Sequence, residues 1–149
     1  MNEDFSVLPF SALHIEKAAE IERLTFSEPW SESSMRILVG DDYPSLALVD
    51  KEGECRGYVT SARALDELQI INVAVHPDLR GRGLGAMLLS AFDGLCRSLG
   101  IVYVSLEVRE SNTPAIALYS KFGYTVAGKR KGFYRAPSED ALVMVKNFC

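Results

Sequence analysis

The sequence predicts an α/β (α+β) fold: a mixed central sheet of about seven strands with roughly four helices on both faces. Three observations predict it. Strand-like runs lead while helix-like runs are interleaved late, and that order suits a mixed sheet. The β-branched run Leu68–Val75 passes through a glycine-rich turn into an amphipathic run with Leu84, Met87, Leu88, Ala91, Phe92, Leu95 and Leu99 at helical spacing. A chain of 149 residues can build one compact domain with a proper core but not two of ordinary size, so 1–149 reads as a single domain.

Each element carries its own signal. A short strand is expected around Phe5–Leu8, then a first helix from about Ala12 to Thr25 with Leu13, Ala18, Ile21 and Leu24 on one apolar stripe. Phe26-Ser27-Glu28-Pro29-Trp30 interrupts it. Ser31 can cap a second helix to about Val39, which Gly40 ends. Strands follow at Ser45–Asp50 and Arg56–Ala64, joined by the turn Lys51-Glu52-Gly53-Glu54. A turn at Asp66-Glu67 feeds the strand Leu68–Val75, which His76-Pro77 ends, with His76 expected to face solvent. The long helix after the glycine-rich turn stops at Gly100. In Ile101–Arg109, Val102, Val104, Leu106 and Val108 alternate with Tyr103, Ser105, Glu107 and Arg109. Asn112-Thr113-Pro114 opens a helix to Lys121, which Gly123 closes. Strands at about Thr125–Arg135 and Ala141–Phe148 finish the chain as a hairpin-like pair.

Composition removes several classes. Apolar content of 48% and charged content of 24% suit a soluble globular chain. No run approaches the roughly 20 apolar residues of a bilayer span, so no membrane association is expected. Met1-Asn2-Glu3-Asp4 lacks the basic-then-apolar order of a signal peptide, and a cytoplasmic location is expected. With 16 basic against 20 acidic residues, net charge −4, direct nucleic-acid contact is not expected, whereas a basic peptide partner is compatible. Cys55, Cys96 and Cys149 suit neither a disulfide framework nor a metal cluster, and no metal is expected. No histidine lies near them in sequence to activate a thiolate.

Arg80-Gly81-Arg82-Gly83-Leu84-Gly85-Ala86 carries the chemistry. Glycines opening a helix straight after a strand let successive backbone N–H groups converge, and the helix dipole adds positive potential. Arg80 and Arg82 supply full charges. The pattern is a pyrophosphate cradle, yet its third glycine comes one position too early for the dinucleotide fingerprint. Gly85-Ala86-Met87 also lacks the Gly-Lys-Ser/Thr of a P-loop.

Arg80, Gly83 and Gly85 in the spacing Arg-x-x-Gly-x-Gly resemble the acyl-CoA motif of the GCN5-related N-acetyltransferases. The resemblance sharpens downstream. Leu106-Glu107-Val108-Arg109, Ser111-Asn112, Ala115-Ile116-Ala117-Leu118-Tyr119 and Gly123-Tyr124 look like the RimI branch of that superfamily, as does the loop Phe26–Ser31. The resemblance implies acetyl-CoA as co-substrate and transfer of its acetyl group to an N-terminal alanine amine of a ribosomal protein, the eighteenth of the small subunit. It implies direct attack within a ternary complex, which is catalysis by proximity without a covalent enzyme intermediate.

Residue roles divide accordingly. Glu107 lies mid-strand opposite the valine face. By pattern alone it is equally a general base or a surface carboxylate paired with Arg109; the resemblance implies the base. Tyr119, a phenol protonated at neutral pH, is the expected acid for the departing thiolate, with Tyr134 as rival and helix packing as the plainer role. Backbone groups of Val73, Ala74 and Val75 are expected to hold the pantetheine arm together with Asn112, which equally well caps the following helix. Trp30 on one side and Phe133 with Tyr134 on the other are expected to wall the acceptor, though Trp30 also suits a staple over the second helix. The Phe133-Tyr134-Arg135 run departs from the Tyr-Tyr-Pro that RimI relatives often carry, which bears on acceptor contacts. His14 is assigned no role.

The resulting expectation is a monomeric acetyl-CoA-dependent N-α-acetyltransferase acting on a ribosomal-protein N-terminus. Open alternatives are acetylation of lysine or a small amine, a non-catalytic acyl-CoA-binding module, and a nucleotide-binding regulator.

Overall fold

The computed structural model describes residues 2–148, so Cys149 lies outside the described residues. Seven strands form one sheet: β1 (Ser6–Pro9), β2 (Leu46–Val49), β3 (Cys55–Ala64), β4 (Glu67–Val75), β5 (Tyr103–Arg109), β6 (Thr125–Arg135) and β7 (Ser138–Asn147). Their order across the sheet is β1-β2-β3-β4-β5-β7-β6. Only β4 and β5 run parallel; every other neighbouring pair is antiparallel. Four helices join them: α1 (Ile15–Thr25), α2 (Glu32–Met35), α3 (Leu84–Ser98) and α4 (Thr113–Lys121). The expected mixed sheet with helices on both faces is what forms.

Two cores flank the sheet. On one face Leu84, Leu88, Leu89, Phe92 and Cys96 of α3 and Tyr119 of α4 pack with Leu48, Val59, Leu68, Val104, Leu106 and Val108. On the other, Ile15, Ala18, Ala19 and Ile21 of α1 and Met35 of α2 pack with Ala47, Tyr58 and Ala74. The alternation in β5 therefore sorts as the sequence predicts. Val104, Leu106 and Val108 are buried, while Tyr103, Ser105, Glu107 and Arg109 point to the α1 side and are half-buried.

Four local expectations change. Ala12–His14 is a 3-10 turn rather than the start of α1, because the Ser11 hydroxyl and the His14 ring cap each other's backbone N–H groups there. Leu13 and Leu24 do not join the apolar stripe; they are 91% and 54% exposed. The buried row is Ile15, Ala18, Ala19 and Glu22, an i, i+3, i+4, i+7 series that ends in a carboxylate. The second helix is short: α2 gives way to a 3-10 turn at Arg36–Leu38. His76 is half-buried, and its Nδ1 accepts from the Asp78 N–H, capping the turn that follows β4.

The sheet is least continuous where β4 meets β5. Their ladder has three pairs, from Glu67↔Tyr103 to Gln69↔Ser105, and then stops although both strands continue. The cause lies in β4. Thr60 faces Asn72 but Ser61 faces Ile70, so Ile71 is the extra residue of a bulge, which bends the strand away from its neighbour. Beyond the bulge, Asn72–Val75 and Leu106–Arg109 border an open wedge.

Candidate active site

The cradle stands at the β4 side of this wedge. Gly81 and Gly83 hold φ of +80° and +77°, backbone that side chains rarely adopt, and they turn the chain into α3. Gly83 is the N-cap of α3, and no side chain caps that end. Leu84 sinks its side chain into the core, so what it and Ala86 offer a ligand is backbone N–H at the positive end of a long helix. Gly85 has a packing reason as well: a Cβ there would come within 3.1 Å of Leu118 Cδ2 on α4. Arg80 donates to Thr25 Oγ1 at 3.3 Å, at the end of α1. Arg82 faces a surface hollow of mixed charge, where Lys51 pairs with Asp4 and Arg56 with Asp50. An uncapped helix start opened by two left-handed glycines is a geometry suited to an anion.

Val73, Ala74 and Val75 lie on the part of β4 that has lost its β5 partner, so backbone on that edge is free to pair with an extended ligand. Close packing holds this segment from below. A Cβ on Gly57 of β3 would lie 2.8 Å from the Ala74 carbonyl oxygen. Asn112 caps α4, its Oδ1 accepting from the Ala115 N–H at 3.3 Å.

Glu107 stands on the β5 border of the wedge, with a side chain only 16% exposed. Gln69 Nε2 donates to its Oε1 at 3.0 Å, and Arg130 Nη1 of β6 donates to its Oε2 at 3.2 Å. Arg109 is not its partner. That guanidinium pairs with Glu139 at 3.1 Å, donates to the Pro137 carbonyl and to Ser27 Oγ, and sits 4.3 Å from the centroid of the Tyr134 ring. Arg109 thus clasps the α1–α2 loop to the β6–β7 turn. Sequence pattern missed this because the two partners lie 82 and 28 positions away.

The two phenols occupy different settings. Tyr119 is 8% exposed, packs edge-on to Tyr124 with centroids 6.1 Å apart, and comes from the α3–α4 face. Burial pushes its hydroxyl well above the ordinary value, with Tyr134 adding to the effect. Tyr134 is half-buried. Burial raises it too, Arg109 pulls it back, and Glu107 and Glu139 raise it further. Glu107 and Tyr119 therefore approach β5 from opposite faces, and Tyr134 lies within the electrostatic reach of both. Phe133 packs at right angles to Tyr134 and carries Arg130 over its own ring at 4.6 Å.

Trp30 is half-buried against the α1-side core and lines a shallow cleft with Arg23, Pro29 and Arg36. That cleft shares no lining residue with β4 or β5, so it is not the wedge itself. The Trp30 backbone N–H donates to Glu22 at 3.0 Å. Glu22 and its partners Tyr58 and Asn72 were not singled out by sequence. A signal existed: Glu22 continues the buried α1 periodicity, and Asn72 interrupts the apolar run of residues 70–75.

Cys55 and Cys96, the cysteines among the described residues, are both buried. Burial pushes Cys55 up to about 11 and Cys96 up to about 12, so neither is a thiolate at neutral pH. Among the described residues no group of three or more His, Cys, Asp or Glu could hold a metal ion, and no helix is long and apolar enough to cross a membrane.

Comparison with known proteins agrees with this fold. Residues 15–124 match the acetyltransferase (GNAT) family. A Salmonella typhimurium protein, the [ribosomal protein bS18]-alanine N-acetyltransferase, is 36% identical over 136 residues, covering 90% of this chain and 91% of its own. The crystal structure of the Escherichia coli ribosomal-protein-S18-alanine N-acetyltransferase superposes with a TM-score of 0.89 at 30% identity, over 96% of this chain and 93% of that one. Arabidopsis thaliana NAA60, solved in complex with acetyl-CoA, shares the fold with a TM-score of 0.87 at 21% identity, over 97% of this chain and 98% of that one.

Proposed function

The chain belongs to the acetyltransferase (GNAT) family and is an acetyl-CoA-dependent N-acetyltransferase, and from that premise we propose that it acetylates the N-terminal alanine of ribosomal protein bS18. One observation carries the reading. A carboxylate, Glu107, borders the wedge on the α1 side with its side chain only 16% exposed, on the same strand face as Arg109, which joins the α1–α2 loop to the β6–β7 turn that would receive a peptide end. The bS18 acceptor is supported by the relatives at 34–38% identity that bear that activity in their names.

The acetyl thioester supplies the electrophile; the chain's own residues do the rest. Unpaired β4 backbone at Val73–Val75 holds the pantetheine arm as an added strand, and the α3 N-terminus holds the pyrophosphate. Asn112 stands at the mouth of α4 beside this path. An α-ammonium titrates near 8, so part of the acceptor is already neutral amine at neutral pH, and its nitrogen must shed a proton as the C–N bond to the acetyl carbon forms. Glu107 accepts that proton. Trp30, Phe133 and Tyr134 border the peptide, and binding both substrates at once provides most of the rate. Tyr119 returns a proton to the departing thiolate. Its burial keeps the phenol fully protonated until then.

The test is mass spectrometry of two peptides incubated with the protein and acetyl-CoA. One carries the bS18 N-terminus with free alanine; the other has that N-terminus blocked and a lysine added. Acetylation of the first alone is expected. Transfer to the lysine peptide alone would overturn the acceptor while keeping the enzyme class.

A further inference from the structure

Glu22 is the one buried carboxylate among the described residues, at 0% exposure. It accepts three hydrogen bonds from three separate elements: the Trp30 N–H of the α1–α2 loop at 3.0 Å, the Tyr58 hydroxyl of β3, and Asn72 Nδ2 of β4 at 2.9 Å. Taking a carboxylate out of water is costly, and an apolar residue would fill the same space more cheaply. No apolar side chain could satisfy three converging donors, however.

The positions of those donors matter. Asn72 comes straight after the β4 bulge and immediately before Val73, and its own N–H is fixed by Thr60 Oγ1 at 3.2 Å. Trp30 ends the Phe26–Trp30 segment, whose Ser27 is held from the opposite side by Arg109. One carboxylate therefore ties a wall of the acceptor passage to the strand that borders the acetyl group. We propose that Glu22 is a positioning residue of the acceptor site, setting the distance between the α1–α2 loop and β4. This rests on the function proposed above, since it assigns the loop to the acceptor. Glu22 does not touch the reacting atoms.

Purified Glu22→Ala and Glu22→Gln are compared with the wild type. CoA binding stoichiometry counts the folded molecules, and kinetics with the bS18 N-terminal peptide follow. Losing the shared acceptor is expected to raise the peptide KM about tenfold or more in Glu22→Ala. CoA affinity and kcat per CoA-binding molecule should stay within roughly threefold, since neither group of contacts is lost. Glu22→Gln retains an oxygen for the Trp30 N–H and should recover part of the loss. An unchanged peptide KM, or an equal loss of CoA affinity, would overturn the proposal.

If Glu22→Ala does not fold, Tyr58→Phe and Asn72→Ala each withdraw one donor and should raise the peptide KM about threefold. No rise in either would overturn it. A second readout does not depend on the acceptor's identity. Trp30 is the sole tryptophan, so intrinsic fluorescence reports this loop directly. Acrylamide quenching should increase in the Glu22 variants at full CoA stoichiometry; unchanged quenching would overturn the proposal. Wild type that leaves the peptide unmodified while quenching responds as stated would sink the acceptor, not the role of Glu22.

Discussion

Arg130 reaches across β7 to place its Nη1 3.2 Å from Glu107 Oε2, so the proposed base already has a cationic partner. Arg130 is 55% exposed, which makes the pair a weak contributor to stability. An incoming α-ammonium would bring a second positive charge to the same carboxylate. Glu107→Gln is expected to lower kcat by about 10²-fold or more with CoA affinity intact. Steady-state kinetics beside calorimetric CoA titration decide it, and unchanged turnover would remove Glu107 from the base role.

Tyr119 and Tyr134 are distinguished by their surroundings. Tyr119 is buried beside the phenol Tyr124 and feels Tyr134, whereas Tyr134 has Arg109 over its ring. Tyr119→Phe should reduce kcat by about 10²-fold while Tyr134→Phe mainly raises the peptide KM. The reverse pattern in the same assays would transfer the acid role to Tyr134.

Gly83 sits at φ +77° where α3 begins. Gly83→Glu combines backbone strain with a negative charge at the phosphate cradle and should abolish measurable CoA binding. Micromolar affinity retained in a titration would refute the cradle.

Gly57 leaves no room for a methyl group beneath Ala74. Gly57→Ala should destabilise the protein by about 1–3 kcal/mol, because the contact is with backbone that cannot rotate away. Thermal unfolding should show a drop of several degrees. An unchanged midpoint would mean that β3 and β4 separate freely.

Burial holds the Glu22 carboxyl above its ordinary value of 4.5, against the pull of three hydrogen bonds. An acid whose folded value is raised binds its proton more tightly in the folded state. Its contribution is fully present below the unfolded value and is lost as pH rises through the folded one. Wild type should therefore gain stability relative to Glu22→Gln as pH falls from neutral towards about 4.5. Urea midpoints along that range test this, and a constant difference would contradict it.

Local order was the most legible part of this chain. The alternation of β5, the Asn112-Pro114 start of α4 and the apolar row of α3 are all nearest-neighbour patterns, and each formed where expected. The glycine turn was equally readable, since positive φ is a requirement on one residue. Leu13 and Leu24 went astray because a helical stripe fixes only relative phase. The core chose the row through Ile15 and Glu22 instead, once Tyr58 and Asn72 supplied donors for the carboxylate. Arg109 followed the same logic. Pattern pairs it with Glu107 two positions away, yet Glu139 and Ser27 claim it, and only the folded chain brings them close.

The short seam between β4 and β5 also links ligand to endurance. Only three residue pairs join those strands, so a pantetheine arm lying in the wedge would complete the sheet as an additional strand does. Such a ligand recognises the folded chain alone, and at a hundredfold excess over its Kd it adds about 2.7 kcal/mol to apparent stability by mass action. A cell rich in acetyl-CoA would thereby preserve this enzyme longer than a starved one, making the metabolite a guardian of the protein as well as its reagent.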